Sequence, residues 1–95
     1  MKGYVVCVYK SIGSEEKLKE YGIKARTAVE NYKGKFLIRG GRSRANEGDK
    51  SPRTVVIEFP SYDDANLFYN SKEYQKAHEI LKGHVVRQHQ TIQGS

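Results

Sequence analysis

GKFLIRGGRSRANEGDKSPRTVVIEFPS, residues 34–61, places two apolar runs on either side of a polar loop rich in turn residues. That pattern predicts a β-hairpin. Phe36, Leu37 and Ile38 precede the loop; Val55, Val56, Ile57 and Phe59 follow it, bracketed by Pro52 and Pro60. Each run carries one charge, Arg39 or Glu58. Pairing Arg39 with Glu58 sets Ile38 across from Phe59, Gly40 from Ile57 and Gly41 from Val56. One face then collects Phe36, Ile38, Ile57 and Phe59 as a core. The other collects Leu37, Arg39, Val56 and Glu58, an apolar face with an ion pair set into it, and something has to cover that face.

Upstream, residues 3–10 (GYVVCVYK) have apolar side chains on both faces, Tyr4, Val6 and Val8 on one and Val5, Cys7 and Tyr9 on the other. Such a strand is buried on both sides. Ser14 before Glu15 and Glu16 gives an N-cap with acidic residues in the first helical turn. Leu18, Tyr21, Ala25, Ala28, Val29 and Tyr32 follow at helical spacing, so a helix runs over about 14–33 and stops near Gly34. Downstream of the hairpin, Ser61 and Asp64 form a capping box. Ala65, Phe68 and Tyr69 make an inward stripe, Asn70 and Ser71 a break, and Tyr74, Ala77 and Leu81 a continuation ending at Gly83. A last strand over 84–92 alternates Val85, Arg87 and His89 with Val86, Gln88, Gln90 and Ile92; Gly94 and Ser95 are expected to fray. The order β-α-β-β-α-β is the ferredoxin-like α+β plan, a four-stranded antiparallel sheet with two helices on one face.

A chain of 95 residues makes one domain, residues 1–95, and a lean one, with 37% apolar residues, no tryptophan and a mean hydropathy of -0.76. Small chains of this kind gain from burial against a partner. Two helices cover one sheet face, so the other, with Leu37, Val56 and a whole row of the first strand, calls for a second copy. The expected assembly is a homodimer through the open sheet face, a dimeric α+β barrel enclosing a cavity between the two sheets. The net charge of +6 comes from 17 basic residues scattered from Lys2 to Arg87, a solvated surface rather than a nucleic-acid tract. KGKFLIRG at 33–40 faintly resembles an RNA-recognition strand but lies on the wrong strand, and RTVVIEFP has no stacking rings in its place. Nucleic-acid partners are therefore not expected. The lone Cys7 lies in an apolar run, as a buried inert thiol in a reducing compartment would. No run reaches membrane-spanning length and the leading one is too short for a signal peptide, so a cytoplasmic location without membrane contact is expected.

RGG at 39–41, Glu47-Gly48, RTVVIEFPS at 53–61, Ala65 and YNSKEYQ at 69–75 together resemble the family catalogued as domain of unknown function 1330. The resemblance covers nearly the whole chain and implies membership of the dimeric α+β barrel superfamily. Relatives there include heme-degrading and antibiotic-biosynthesis monooxygenases and muconolactone isomerase, while the family itself has no agreed activity. Many members carry an arginine near the end of the second helix, where this chain has Leu81 and Lys82.

The residues that chemistry would use are Arg39, Glu58, Tyr69, Ser71, Tyr74 and His78. Arg39 oriented by Glu58 between the two sheets would hold a carboxylate or phenolate; alternatively the two form a structural ion pair. Gly40-Gly41 fits a bulge. Tyr74 and His78, four apart, share a helix face with Tyr69 and Ser71 nearby, as proton-transfer groups or as core residues with local hydrogen bonds. His78, His84 and His89 have no common metal-ligand spacing, and no phosphate loop or Cys–base pair is present, so neither metal nor cofactor is expected. Two functional classes fit: a binder of a small anionic or aromatic molecule, and a cofactor-independent monooxygenase or isomerase acting on a small aromatic or lactone substrate.

Overall fold

The computed structural model describes residues 1–95. Apolar alternation in the first segment produces β1, Gly3–Ile12, at the centre of the sheet. Helix α1, Glu15–Asn31, is capped by the Ser14 hydroxyl, which accepts from the Lys17 amide. Strands β2, Lys35–Arg39, and β3, Thr54–Phe59, form the hairpin. Helices α2, Tyr62–Asn70, and α3, Lys72–Leu81, lead to β4, Val85–Gln93. The antiparallel sheet has the order β2-β3-β1-β4, the ferredoxin-like arrangement. At the far end of β4, Gly94 donates to the Lys2 carbonyl at 2.8 Å, so the ladder is closed where fraying was expected.

The core lies between the sheet and the helices. Val5, Cys7 and Tyr9 from β1 and Val55, Ile57 and Phe59 from β3 meet Ala28 and Val29 of α1, Phe68 of α2 and Tyr74 of α3. The small residues Ala28, Ala65 and Ala77, fully buried, let the helices sit close to the sheet. Phe68 packs on Phe59 with ring centroids 4.9 Å apart and on Tyr74 at 4.7 Å.

The register of the hairpin corrects the expected one. Lys35 pairs with Glu58 and Phe36 with Ile57, then Ile38 with Val56 and Arg39 with Val55. Leu37 is thus an extra residue, a β-bulge, and every side chain after it changes face. Phe36 and Arg39 both point to the helix side, with the Arg39 guanidinium 4.4 Å from the Phe36 ring centroid. Ile38, expected in the core, is on the open face and 47% exposed. Arg39 and Glu58 therefore lie on opposite faces, and no ion pair joins them. Glu58 instead accepts from the Tyr4 hydroxyl at 3.1 Å on the open face. Gly40 and Gly41, with φ of 73° and 94°, turn the chain out of β2 in a conformation that suits glycine. A side chain at Gly40 would also strike the Arg53 guanidinium.

Ser71 stands between α2 and α3 and serves both. Its hydroxyl donates to the Phe68 carbonyl at 2.7 Å and accepts from the Tyr74 amide at 3.1 Å, closing one helix and capping the next. Because Ser71 is buried, no water replaces these bonds when the hydroxyl is removed. Ser71→Ala is expected to lower unfolding stability by about 1–2 kcal/mol in urea titration. An unchanged midpoint would show that the break between the helices is held by packing alone.

Candidate functional site

Arg87 stands on the inward row of β4 because Tyr9 of β1 pairs with it and Cys7 pairs with His89. The two side chains project beneath the helices, where α1 brings Tyr21 and α3 brings Tyr74 through their inward stripes. The Arg87 Nη2 donates to the Tyr74 hydroxyl at 2.8 Å. Its Nη1 faces the Tyr9 hydroxyl at 3.2 Å, the Tyr21 hydroxyl at 3.3 Å and the Cys7 Sγ at 3.5 Å, while Nε has no protein acceptor. Tyr21 and Tyr74 also share a hydrogen bond of 2.9 Å. No carboxylate joins the group, and the ion pairs of the chain are Lys17–Glu20 and Arg26–Glu30, both on the exposed side of α1. Arg87 is half-buried and has neutral protein partners only, whereas charges taken out of water are ordinarily paired.

The surroundings fix the charge states. Burial works against the Arg87 charge, but Tyr21, Tyr74 and Cys7 around it outweigh burial and hold its pKa above the ordinary value. Arg87 is therefore a permanent cation. Burial pushes the Tyr9 hydroxyl up to about 12, against the pull of Arg87. Tyr74 is raised further by burial and by the neighbouring Tyr21, and the Cys7 thiol is raised by burial. The hydroxyls consequently stay protonated at neutral pH and Cys7 is a thiol, not a thiolate. His89 is lowered to about 3 by burial, by Arg87 and by His78; His78 is lowered by burial, by Arg87 and by Lys82. Both imidazoles are neutral at pH 7.

Next to Arg87 lies a cavity of about 50 Å³, walled largely by apolar and aromatic side chains and reached by Arg39 and Arg53 as well as Arg87. An apolar cavity of roughly 150 Å³ is needed to enclose a benzene ring, so this one accepts a carboxylate-sized group and not a whole aromatic molecule. It leads to a wider cleft of about 680 Å³ along α1, sharing Leu18, Gly22, Arg39 and Arg53 with the inner space. Gly22 stands inside a helix, where glycine costs about 0.5–1 kcal/mol relative to alanine. A Cβ at this position would touch nothing within 4 Å, so packing does not require the glycine, and its missing side chain widens the passage.

The six residues singled out from the sequence are distributed unevenly. Tyr74 is in the centre, and His78 stacks on it with centroids 5.9 Å apart and planes 19° apart. Tyr69 packs on Tyr74 at 5.3 Å and on His89 at 5.0 Å. Ser71 is committed to its two caps. Arg39 reaches the outer end of the cavity, and Glu58 is on the other face of the sheet. Sequence reasoning did not select Arg87, Tyr9, Tyr21 or His89. Their signal was an arginine in the inward row of a strand, alternating with Val85 and His89. No group of three or more His, Cys, Asp or Glu side chains is arranged to hold a metal.

A four-stranded antiparallel sheet with its helices on one face and a cavity between the layers defines a ferredoxin-like α+β protein. Within that class the chain belongs to the family described as a domain of unknown function, DUF1330, whose model matches residues 2–95. Solved structures share the fold at low identity. A protein of unknown function from Rhodopseudomonas palustris is 13% identical with a TM-score of 0.78, covering 99% of this chain and 82% of that one. A dimeric ferredoxin-like protein of unknown function from Jannaschia is 10% identical with a TM-score of 0.69, covering 99% of this chain and 100% of that one. SnoaB, a cofactor-independent oxygenase from Streptomyces nogalater, is 9% identical with a TM-score of 0.68, covering 98% of this chain and 92% of that one. No match is found among curated proteins.

The neutral His89 makes stability depend on pH with a definite sign. Its folded pKa is below the unfolded value of about 6.5, so the unfolded chain binds the proton first as pH falls. The contribution is complete above pH 6.5 and declines as pH drops toward 3. Stability at pH 5 is expected to be lower than at pH 7 by on the order of 1–2 kcal/mol. His89→Gln is expected to flatten that slope in denaturant titrations at the two pH values; an equal slope in the variant would assign the proton uptake elsewhere.

Proposed function

We infer that the protein is a homodimeric, non-catalytic binder of a small molecule with an anionic head, a carboxylate or a phenolate, seated in the cavity between sheet and helices of each chain. The observation that carries this reading is Arg87, a cation beneath the helices with hydroxyl partners and no counter-charge. A carboxylate there would receive the donors that the protein leaves unused, above all Nε–H, in the bidentate geometry a guanidinium favours. The tyrosine hydroxyls accept from Arg87, and although one proton of the Tyr21–Tyr74 pair is used in their mutual hydrogen bond, the Tyr9 hydroxyl keeps a proton that adds a donor to an incoming anion. This places the ligand on the opposite side of the sheet from the inter-sheet space that the sequence pointed to. The raised tyrosine and cysteine pKa values leave no ionised nucleophile beside the cation, and the lowered His78 and His89 are weak bases, which favours binding over turnover. A cytoplasmic location agrees with the reduced Cys7, and no helix is long and apolar enough to cross a membrane.

The homodimer rests on the open sheet face. Ile38, Val56 and Val6 form one cross-strand row there, with Val86 and Ile92 of β4 57% and 48% exposed. Similar folds from Jannaschia, Bacteroides fragilis and Thermobifida fusca are described as dimeric. A twin copy over this row would remove it from water, with the Tyr4–Glu58 hydrogen bond at the same face. Val56→Asp is expected to shift sedimentation at micromolar concentration from dimer to monomer. A wild-type chain that already sediments as a monomer would remove the dimer from the proposal.

The binding reading is tested with acetate and propionate, using acetamide and chloride as controls at equal ionic strength. The carboxylates are expected to raise the unfolding temperature and acetamide is not. Arg87→Met is expected to abolish the effect while changing stability by no more than roughly 2 kcal/mol, because replacing a desolvated charge with a hydrophobe of similar volume is close to neutral. If the methionine variant unfolds outright, Arg87 is a structural tie for the three tyrosines. Recovery of an added carboxylate at altered mass would turn the reading from binder to enzyme.

A further inference from the structure

Arg87 is one of three cations that line a single cavity without a carboxylate inside it. Arg87 is at the inner end, on β4. Arg53 immediately precedes β3, and its carbonyl accepts from the Tyr9 amide at 2.9 Å, so Arg53, Tyr9 and Arg87 stand on three successive strands. At a strand spacing of about 4.8 Å, the Arg53 and Arg87 backbones are about 10 Å apart. Arg39 lies one strand further out, opposite Val55, with its guanidinium over the Phe36 ring. Neither Arg39 nor Arg53 takes part in an ion pair. The acidic side chains along the outer cleft are Glu15, in the first turn of α1, and Glu30, which is joined to Arg26 at 3.8 Å. Tyr9 stands between Arg53 and Arg87, and the rest of the lining is largely apolar, Leu18, Phe36, Val55 and Ile57 among it.

Arg87 lines the inner cavity alone, whereas Arg39 and Arg53 line both it and the outer cleft, so a ligand reaching from one to the other meets a cation at each end. We propose that the ligand is an elongated dianion, a straight or lightly branched chain with a carboxylate at each end, held at one end by Arg87 and at the other by Arg39 and Arg53. The proposal rests on the binding reading above and adds the second anionic end. The small inner volume holds one carboxylate and excludes a ring, and the chain behind it leaves past Leu18 and Gly22 toward the wider cleft that Arg39 and Arg53 also line. Each methylene removed from water on the way adds to affinity, so chain length is read as well as charge. The outer carboxylate is partly hydrated and gains less than the inner one.

The test compares each dicarboxylate from succinate to azelate with the monocarboxylate of equal length, by calorimetry on the intact protein at constant ionic strength. The best dicarboxylate is expected to bind about ten-fold more tightly than its monocarboxylate partner. The double variant Arg39→Gln with Arg53→Gln is expected to erase that difference, whereas Arg87→Met is expected to weaken both series together. Equal affinities for the two series in the wild-type protein, or an unaltered preference in the double variant, would overturn the two-ended ligand while leaving the single-anion reading standing. If neither series binds, both readings fall together.

Discussion

The constraint on which this structure depends is a positive charge under the helices that nothing negative accompanies. Arg87 reaches the hydroxyls of Tyr9, Tyr21 and Tyr74, contributed by β1, α1 and α3, and so touches three of the elements packed around β4. Each hydroxyl gives the guanidinium part of what water would have given, at the expense of fixing a large ring in one orientation. Tyr74 is then held on several sides, by Phe68, Tyr69 and His78 as well as by Tyr21. The aromatic packing of the helices and the polar group beneath them are one network. Rigidity at this point is what lets a small cavity persist next to a charge instead of collapsing onto it.

The same charge sets the chemistry of everything near it. Burial first, and then the repulsion of Arg87, keep His78 and His89 neutral. It would also favour ionisation of Tyr9, Tyr74 and Cys7, yet burial prevails for all three. The outcome is a site with a fixed cation, hydroxyl donors and neutral imidazoles, and no anion. Such a site is better suited to holding a negative group than to activating a nucleophile.

Most of the fold was legible because it depends on local signals. Ser14, Ser61 and Ser71 each cap a helix where the pattern of polar residues placed them, and the apolar stripes of α1 and α3 face the sheet as their spacing required. The hairpin register was not legible, for a definite reason. Arg39 opposite Glu58 satisfies charge, but Lys35 is the residue that pairs with Glu58, and the bulge at Leu37 then moves the pairing by one residue. Composition does not announce such a bulge, because Phe36, Leu37 and Ile38 are equally apolar and any register buries some of them. The prevailing preference is that of Phe36 for Ile57 and of Arg39 for the helix-side cavity edge. The candidate site was half legible for a related reason. Tyr74 and His78 are neighbours on one helix, whereas Arg87 meets Tyr9 across 78 positions and Tyr21 across 66.

Scattering along the chain also concealed the electrostatic character of the protein. Seventeen basic residues spread over the sequence suggested an evenly solvated surface, and for most of them that description holds. Arg39, Arg53 and Arg87 are the exception, because the sheet order β2-β3-β1-β4 carries them to successive positions across one face. Had Leu37 not bulged, alternation would have sent Arg39 to the open face opposite Thr54, and the cavity would keep two cations instead of three. One inserted residue thus divides the two charges of the hairpin between the two sides of the sheet. Glu58 is left with Tyr4 on a face whose other features are apolar, and Arg39 joins a cationic pocket. Both surfaces take their character from the same bulge at Leu37, which decides the side of the sheet that each charge of the hairpin faces.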